Sequence, residues 1–104
     1  MSTGIDTARI RRENLRWLII LTLNNARPIG AFEGPILSVA QSEYQDATPL
    51  ELRRELDYLH GRELVRLQKR PDARWHAELT RHGVDVAEYT VDCEPGVARP
   101  AKYW

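Results

Sequence analysis

The chain has 104 residues, 42% of them apolar, with 15 basic and 15 acidic side chains and no net charge, the balance of one globular domain with a modest core. Its single cysteine, Cys93, excludes an intrachain disulfide, so nothing calls for an oxidising compartment. The longest apolar run, Trp17-Leu18-Ile19-Ile20-Leu21, falls far short of the roughly 20 residues a membrane span needs. The opening MSTGIDTARIRRENLR is too polar for a signal peptide, so a cytoplasmic location is expected.

Neutrality hides local fields. The first seventeen residues carry four arginines against Asp6 and Glu13, and residues 31–47 carry Glu33, Glu43 and Asp46 with no base. From Val65 to His82, five bases oppose Asp72 and Glu78. Such patches decide association more than the total does.

Thr7 to about Asn25 holds no Gly or Pro and predicts a first helix. Leu15, Leu18, Ile19 and Thr22 form one stripe, and Trp17, Ile20, Leu21 and Leu23 another. A helix apolar on more than one face is either central in the core or shared with a partner copy. Pro28-Ile29-Gly30 then predicts a break and a short extended piece. A second helix is expected from Gly34-Pro35, with Ile36, Leu37, Ala40 and Tyr44 at helical spacing.

Thr48-Pro49-Leu50-Glu51 is the strongest start signal in the chain. Thr48 can cap, Pro49 suits the first helical position, and Glu51 stands where a capping box requires it. Leu52, Leu56 and Leu59 follow as one buried stripe, and Gly61 marks the end.

VRLQKRPDARWHAELT, from Val65 to Thr80, reads as two alternating runs around a turn. A three-residue loop, Pro71-Asp72-Ala73, sets Val65 opposite Leu79, Leu67 opposite Ala77 and Lys69 opposite Trp75. It also faces Arg66 with Glu78, a favourable cross-strand pair. This register asks Ala73 for a left-handed backbone, which alanine adopts reluctantly. The alternative loop, Arg70-Pro71-Asp72, spares Ala73 but loses the Arg66–Glu78 pairing. Thr80 then caps a last helix from Arg81 to about Tyr89, weakened by Gly83.

This order of elements, from about Arg9 to Tyr89, resembles the winged helix-turn-helix family. TPLELRRELDYLHGRELVRLQKR is similar to the recognition helix and first wing strand of many bacterial regulators. The resemblance implies an α+β fold: a three-helix core with a two-stranded wing and a C-terminal helix over residues 1–92, followed by an extended tail over 93–104. Such proteins usually carry glycine just before the Leu-Val that opens the wing; here that place is Glu63. A positive φ there would cost roughly 1 kcal/mol. The closing GVARPAKYW resembles the ends of small proteins of Mu-like bacteriophages.

The family geometry implies double-stranded DNA as partner, with the third helix in the major groove and a dimer on paired half-sites. Thr48 and Leu50 at that helix's N-terminal end, with Arg53 and Arg54, become the expected groove contacts, since a guanidinium can bond guanine bidentately. Lys69, Arg70 and Arg74 at the wing tip would hold phosphates. Glu33, Glu43 and Asp46, near the second helix, argue against DNA if they interrupt that face, and then favour a protein-binding module. No enzyme, metal or cofactor is expected. His60, His76 and His82 have no ligand spacing, Cys93 has no CxxC partner, and no phosphate loop occurs. The excess apolar surface of LRWLIILTL predicts a homodimer through the first helix and the C-terminal helix or tail. Tyr103-Trp104 predicts a tail that runs over the domain and docks Trp104 in an apolar groove.

Overall fold

A computed structural model describes residues 4–102. In chain order it contains helix α1 (Thr7–Asn25), strand β1 (Ala31–Phe32), helices α2 (Glu33–Glu43) and α3 (Pro49–Gly61), strands β2 (Val65–Lys69) and β3 (Trp75–Leu79), and helix α4 (Arg81–Ala87). The three strands form one antiparallel sheet in the order β1-β3-β2. Four helices with such a sheet make a small α+β architecture compatible with a winged-helix-like fold.

Local chemistry explains the helix boundaries. The Asp6 carboxylate accepts the Arg9 N–H at 3.0 Å and caps α1, supplying one of the free donors of its first turn with a partner. Thr48 caps α3 by accepting the Glu51 N–H at 3.2 Å, with Pro49 in the first turn. The capping box is only half formed: the Glu51 carboxylate turns away to Arg11, at 2.7 and 2.8 Å. α2 starts at Glu33, one residue before the expected Gly34-Pro35, and Pro35 occupies its first turn. Thr80 caps α4 through the Gly83 N–H at 3.0 Å. That helix ends at Ala87, short of Tyr89, whose φ of 61° lies in the left-handed region.

The hairpin adopts the expected register. Val65 pairs with Leu79, Leu67 with Ala77 and Lys69 with Trp75, and Arg66 lies 3.2 Å from Glu78. The Arg70 N–H donates to the Arg74 carbonyl at 3.0 Å and closes a three-residue loop in which Ala73 has φ 68°. Glu63 has φ 63°, so the departure from glycine at that place is met by a left-handed glutamate. β1 is a mere two residues, pairing Ala31 with Ala77 and Phe32 with His76. Gly30 makes that pairing accessible: its φ is +78°, and a Cβ there would stand 2.3 Å from the Ala77 carbonyl oxygen.

α1 is the central element of the core. Leu15, Ile19, Ile20 and Leu23 are each at most 1% exposed; the last three pack with Ile36, Leu52, Leu56, Leu59 and Val65, and Leu15 packs with Ala40 and Ala47. Most of its second stripe is also covered within the chain: Ile20 and Leu23 are fully buried and Trp17 meets Tyr89 edge-on at 6.1 Å, while Leu21 is half-buried. A nearly buried ion pair ties α1 to α3: Arg16 Nε donates to Glu55 at 2.7 Å, with side chains 11% and 5% exposed.

The C-terminal segment lies against the same helices. The Ala98 N–H donates to the Glu13 carbonyl at 3.1 Å, and Arg16 donates to the Gly96 carbonyl at 2.9 Å. Arg62 holds the Glu94 carboxylate at 2.6 Å, and Val97 packs on the core. The segment from Glu94 to Pro100 therefore lies against the domain; the expected docking of Trp104 lies outside the described residues. Among the described residues no helix is long and apolar enough to cross a membrane.

Candidate nucleic-acid interface

The expected site residues occupy two neighbouring elements: the N-terminal half of α3, and the tip of the β2–β3 hairpin. Thr48, Leu50 and Arg54 are exposed, Leu50 at 62%. Arg54 has no ion pair or hydrogen bond to any described residue. Its guanidinium is therefore available to a partner at no cost in internal pairing.

Arg53 is placed differently from the expectation of an exposed side chain. It is half-buried, and Nε and Nη2 both donate to the Glu33 carboxylate, at distances from 2.7 to 3.2 Å. Nη2 also donates to the Ala73 carbonyl at 2.8 Å. The guanidinium lies over the Trp75 ring, 4.7 Å from its centroid. Glu33 in turn accepts the Trp75 main-chain N–H at 2.7 Å. Glu33 thus does not stand as a free acid on the face; its charge is matched by Arg53 inside it.

The wing-tip bases are exposed but partly engaged. Lys69 pairs with Asp57 of α3 at 3.2 Å and lies 4.4 Å from the Trp75 ring centroid. Arg74 pairs with Asp72 at 2.8 Å across the loop. The Arg74 main-chain N–H and then its side chain hold the Asp72 carboxyl below its ordinary range. Arg70 forms no salt bridge among the described residues; its guanidinium lies 5.0 Å from the Phe32 ring centroid, and that of Arg74 4.6 Å from it. Phe32 also meets His76 edge-on at 4.9 Å. Two guanidiniums over one ring gather positive charge at the tip with little desolvation, because a weakly hydrated Arg stacks on an aromatic face at low cost.

The other acids flank the face. Asp46 and Glu51 bind Arg11, at 2.8 Å and 2.7 Å. The hydrogen bond from Arg11 holds the Asp46 carboxyl below its ordinary value. Those to Glu51 and Asp46 raise the guanidinium's own pKa. Glu43, at the end of α2, is exposed. Among the described residues no group of three or more His, Cys, Asp or Glu side chains is arranged to hold a metal ion.

Sequence reasoning named Glu33 only as an acid that could interrupt this face; it did not foresee its pairing with Arg53 and Trp75, nor Phe32 and Asp57 as partners of the wing-tip bases. Nothing in the local pattern marks these contacts, since the partners of Glu33, Phe32 and Asp57 stand between 12 and 44 residues away along the chain. The expected Arg66–Glu78 pair was legible because strand register alone fixes it.

No family model matches the chain, and no curated protein matches it. Among solved structures, it is similar to a candidate DNA-binding protein from Ralstonia eutropha JMP134, known from a crystal structure. The two share 25% sequence identity with a TM-score of 0.63, over 86% of this chain and 100% of that one. The likeness therefore takes in that protein's whole length.

Proposed function

We propose that the protein binds double-stranded DNA as a small transcriptional regulator of the winged helix-turn-helix type. The observation that carries this reading is the likeness, over its full length, to a candidate DNA-binding protein. The element order and the β1-β3-β2 sheet support the winged-helix assignment. In this reading α3 enters the major groove with Thr48, Leu50 and Arg54 toward the bases. Lys69, Arg70 and Arg74 hold phosphates, which position the protein without specifying sequence. The protein is a cytoplasmic binding protein of phage or bacterial origin, without catalysis. It acts as a homodimer matched to a two-fold site, through the N-terminal end of α1 where Ile10 is 50% exposed.

Titration of a random-sequence duplex by fluorescence anisotropy at 50 and 200 mM salt tests the reading. With three phosphate contacts from each of two copies the affinity should fall on the order of a thousandfold across that range, because each contact releases condensed counterions. No binding at the lower salt, or binding indifferent to salt, overturns it.

One observation favours a second reading, a protein-binding module. Arg53, Lys69 and Arg74 are each matched by an acid of the same chain, while Leu50 is 62% exposed beside them. A neutralised face with an exposed apolar residue suits a protein surface better than a polyanion. Loss of duplex binding together with a monomeric mass would move the assignment there.

A further inference from the structure

The hairpin is joined to α3 through one carboxylate. β1 stops at Phe32, paired with His76, and continuing that register would set residue 33 opposite Trp75. There the main chain has already turned into α2. The Glu33 side chain takes over the missing ladder position, accepting the Trp75 N–H at 2.7 Å. The same carboxylate receives Nε and Nη2 of Arg53 from α3, and Nη2 reaches on to the Ala73 carbonyl inside the wing loop. A second tie, Lys69 to Asp57 at 3.2 Å, runs beside it.

This geometry leaves Arg53 poorly suited to reading bases. A bidentate contact with guanine needs two adjacent N–H donors. The Nε–Nη2 edge is spent on Glu33, and the outer hydrogen of Nη2 on Ala73. Swinging the side chain into a groove would strand a carboxylate that is only 19% exposed, next to the phosphates of the duplex. We propose that Glu33 and Arg53 are positioning residues: they clamp the wing to α3 at a set distance, so that helix and wing tip meet the duplex together, and the free guanidinium of Arg54 reads it. This rests on the DNA-binding reading. The physical gain is preorganisation, since a wing held in place loses less freedom on binding than a loose one.

The sign of one substitution separates the clamp from simple electrostatics. Glu33→Ala removes an acid and frees Arg53, so charge counting alone expects tighter binding to a random duplex. The clamp expects weaker binding, on the order of tenfold as the wing's hold on the phosphates loosens, with a salt slope lower by about 0.9 for each phosphate the wing no longer reaches. Amide hydrogen exchange in the free full-length protein supplies an independent readout: the Trp75 N–H should exchange faster in E33A and in Arg53→Met. Should E33A not fold, Glu33→Gln, which keeps an acceptor for Trp75 but loses the charged pairing with Arg53, carries the sign test on binding, and Arg53→Met carries the exchange test. Equal or tighter binding by the Glu33 variant, with Trp75 exchange unchanged, overturns the clamp alone. A wild-type protein that binds no duplex overturns the DNA reading beneath it.

Discussion

Replacing Arg16 by Met should be among the most damaging single changes in this protein. Arg16 and Glu55 are 11% and 5% exposed and 2.7 Å apart. Arg16 also lies 3.5 Å from the Tyr58 ring centroid and donates to the Gly96 carbonyl at 2.9 Å. Methionine keeps the apolar stem but strands the Glu55 carboxylate, and breaking a buried pair in this way costs about 3–5 kcal/mol. A domain of this size has a total stability of roughly 5–15 kcal/mol, so R16M should be marginally folded. Glu55→Gln should cost less, about 1–2 kcal/mol, because the amide still accepts and Arg16 keeps Tyr58 and Gly96. The double variant R16M/E55L removes both charges and should recover most of the loss, since apolar replacement of a buried pair is close to neutral. Urea unfolding at pH 7 measures all three, with the slope checked for two-state behaviour. An R16M cost below about 1 kcal/mol, or a double variant no more stable than R16M, would refute the reasoning.

Glu63→Gly should raise stability by about 1 kcal/mol, read as a rise of several degrees in Tm, because it relieves a left-handed side-chain residue at φ 63°. Gly83→Ala should do the opposite despite better helix propensity. Its Cβ would stand 2.1 Å from the Leu64 carbonyl oxygen, and the overpacking of about 1–3 kcal/mol exceeds the propensity gain of about 1. Asp72 should titrate below its ordinary 3.8, held down first by the Arg74 N–H and then by its side chain. Its contribution to the loop is thus present above that value and lost as pH falls through the lower folded one. A carbon-13 titration checks this, and Arg74→Ala should recover only part of the shift, because the main-chain donor stays. Arg54→Ala should lower affinity for a selected site by about 1–3 kcal/mol, whereas Arg70→Ala with Arg74→Ala should weaken all duplexes alike. Equal losses on selected and random duplexes for both variants would remove that division of labour.

Much of the fold is legible in the order of residues alone. The Thr48-Pro49 start of α3 is an arrangement of adjacent residues, and the structure realises it with the expected hydrogen bond. Strand alternation and one charge pair suffice to set the hairpin register, and the left-handed Ala73 and Glu63 follow from loop length and from an absent glycine. These features depend on neighbouring dihedrals or on a short-range period, which a sequence states directly.

Other choices required the packed chain. α1 has two apolar stripes, and periodicity cannot say whether the second meets a partner or the rest of its own chain; Ile20 and Leu23 are buried in their own chain, and Trp17 packs on Tyr89. Glu51 belongs to a capping box on sequence grounds, yet Arg11 is 40 residues away along the chain and close in space, and takes its carboxylate. Arg53 looks, in the sequence, like one of two equivalent exposed arginines. It is half-buried because a two-residue strand ends where Glu33 must complete the ladder to Trp75. The sequence determined which residues carry charge and which way each element faces. Which charges remain free for a partner was decided largely by tertiary packing, because pairs such as Arg53–Glu33, Lys69–Asp57 and Arg11–Glu51 form between groups that separate elements bring within about 4 Å, and no local pattern records that distance.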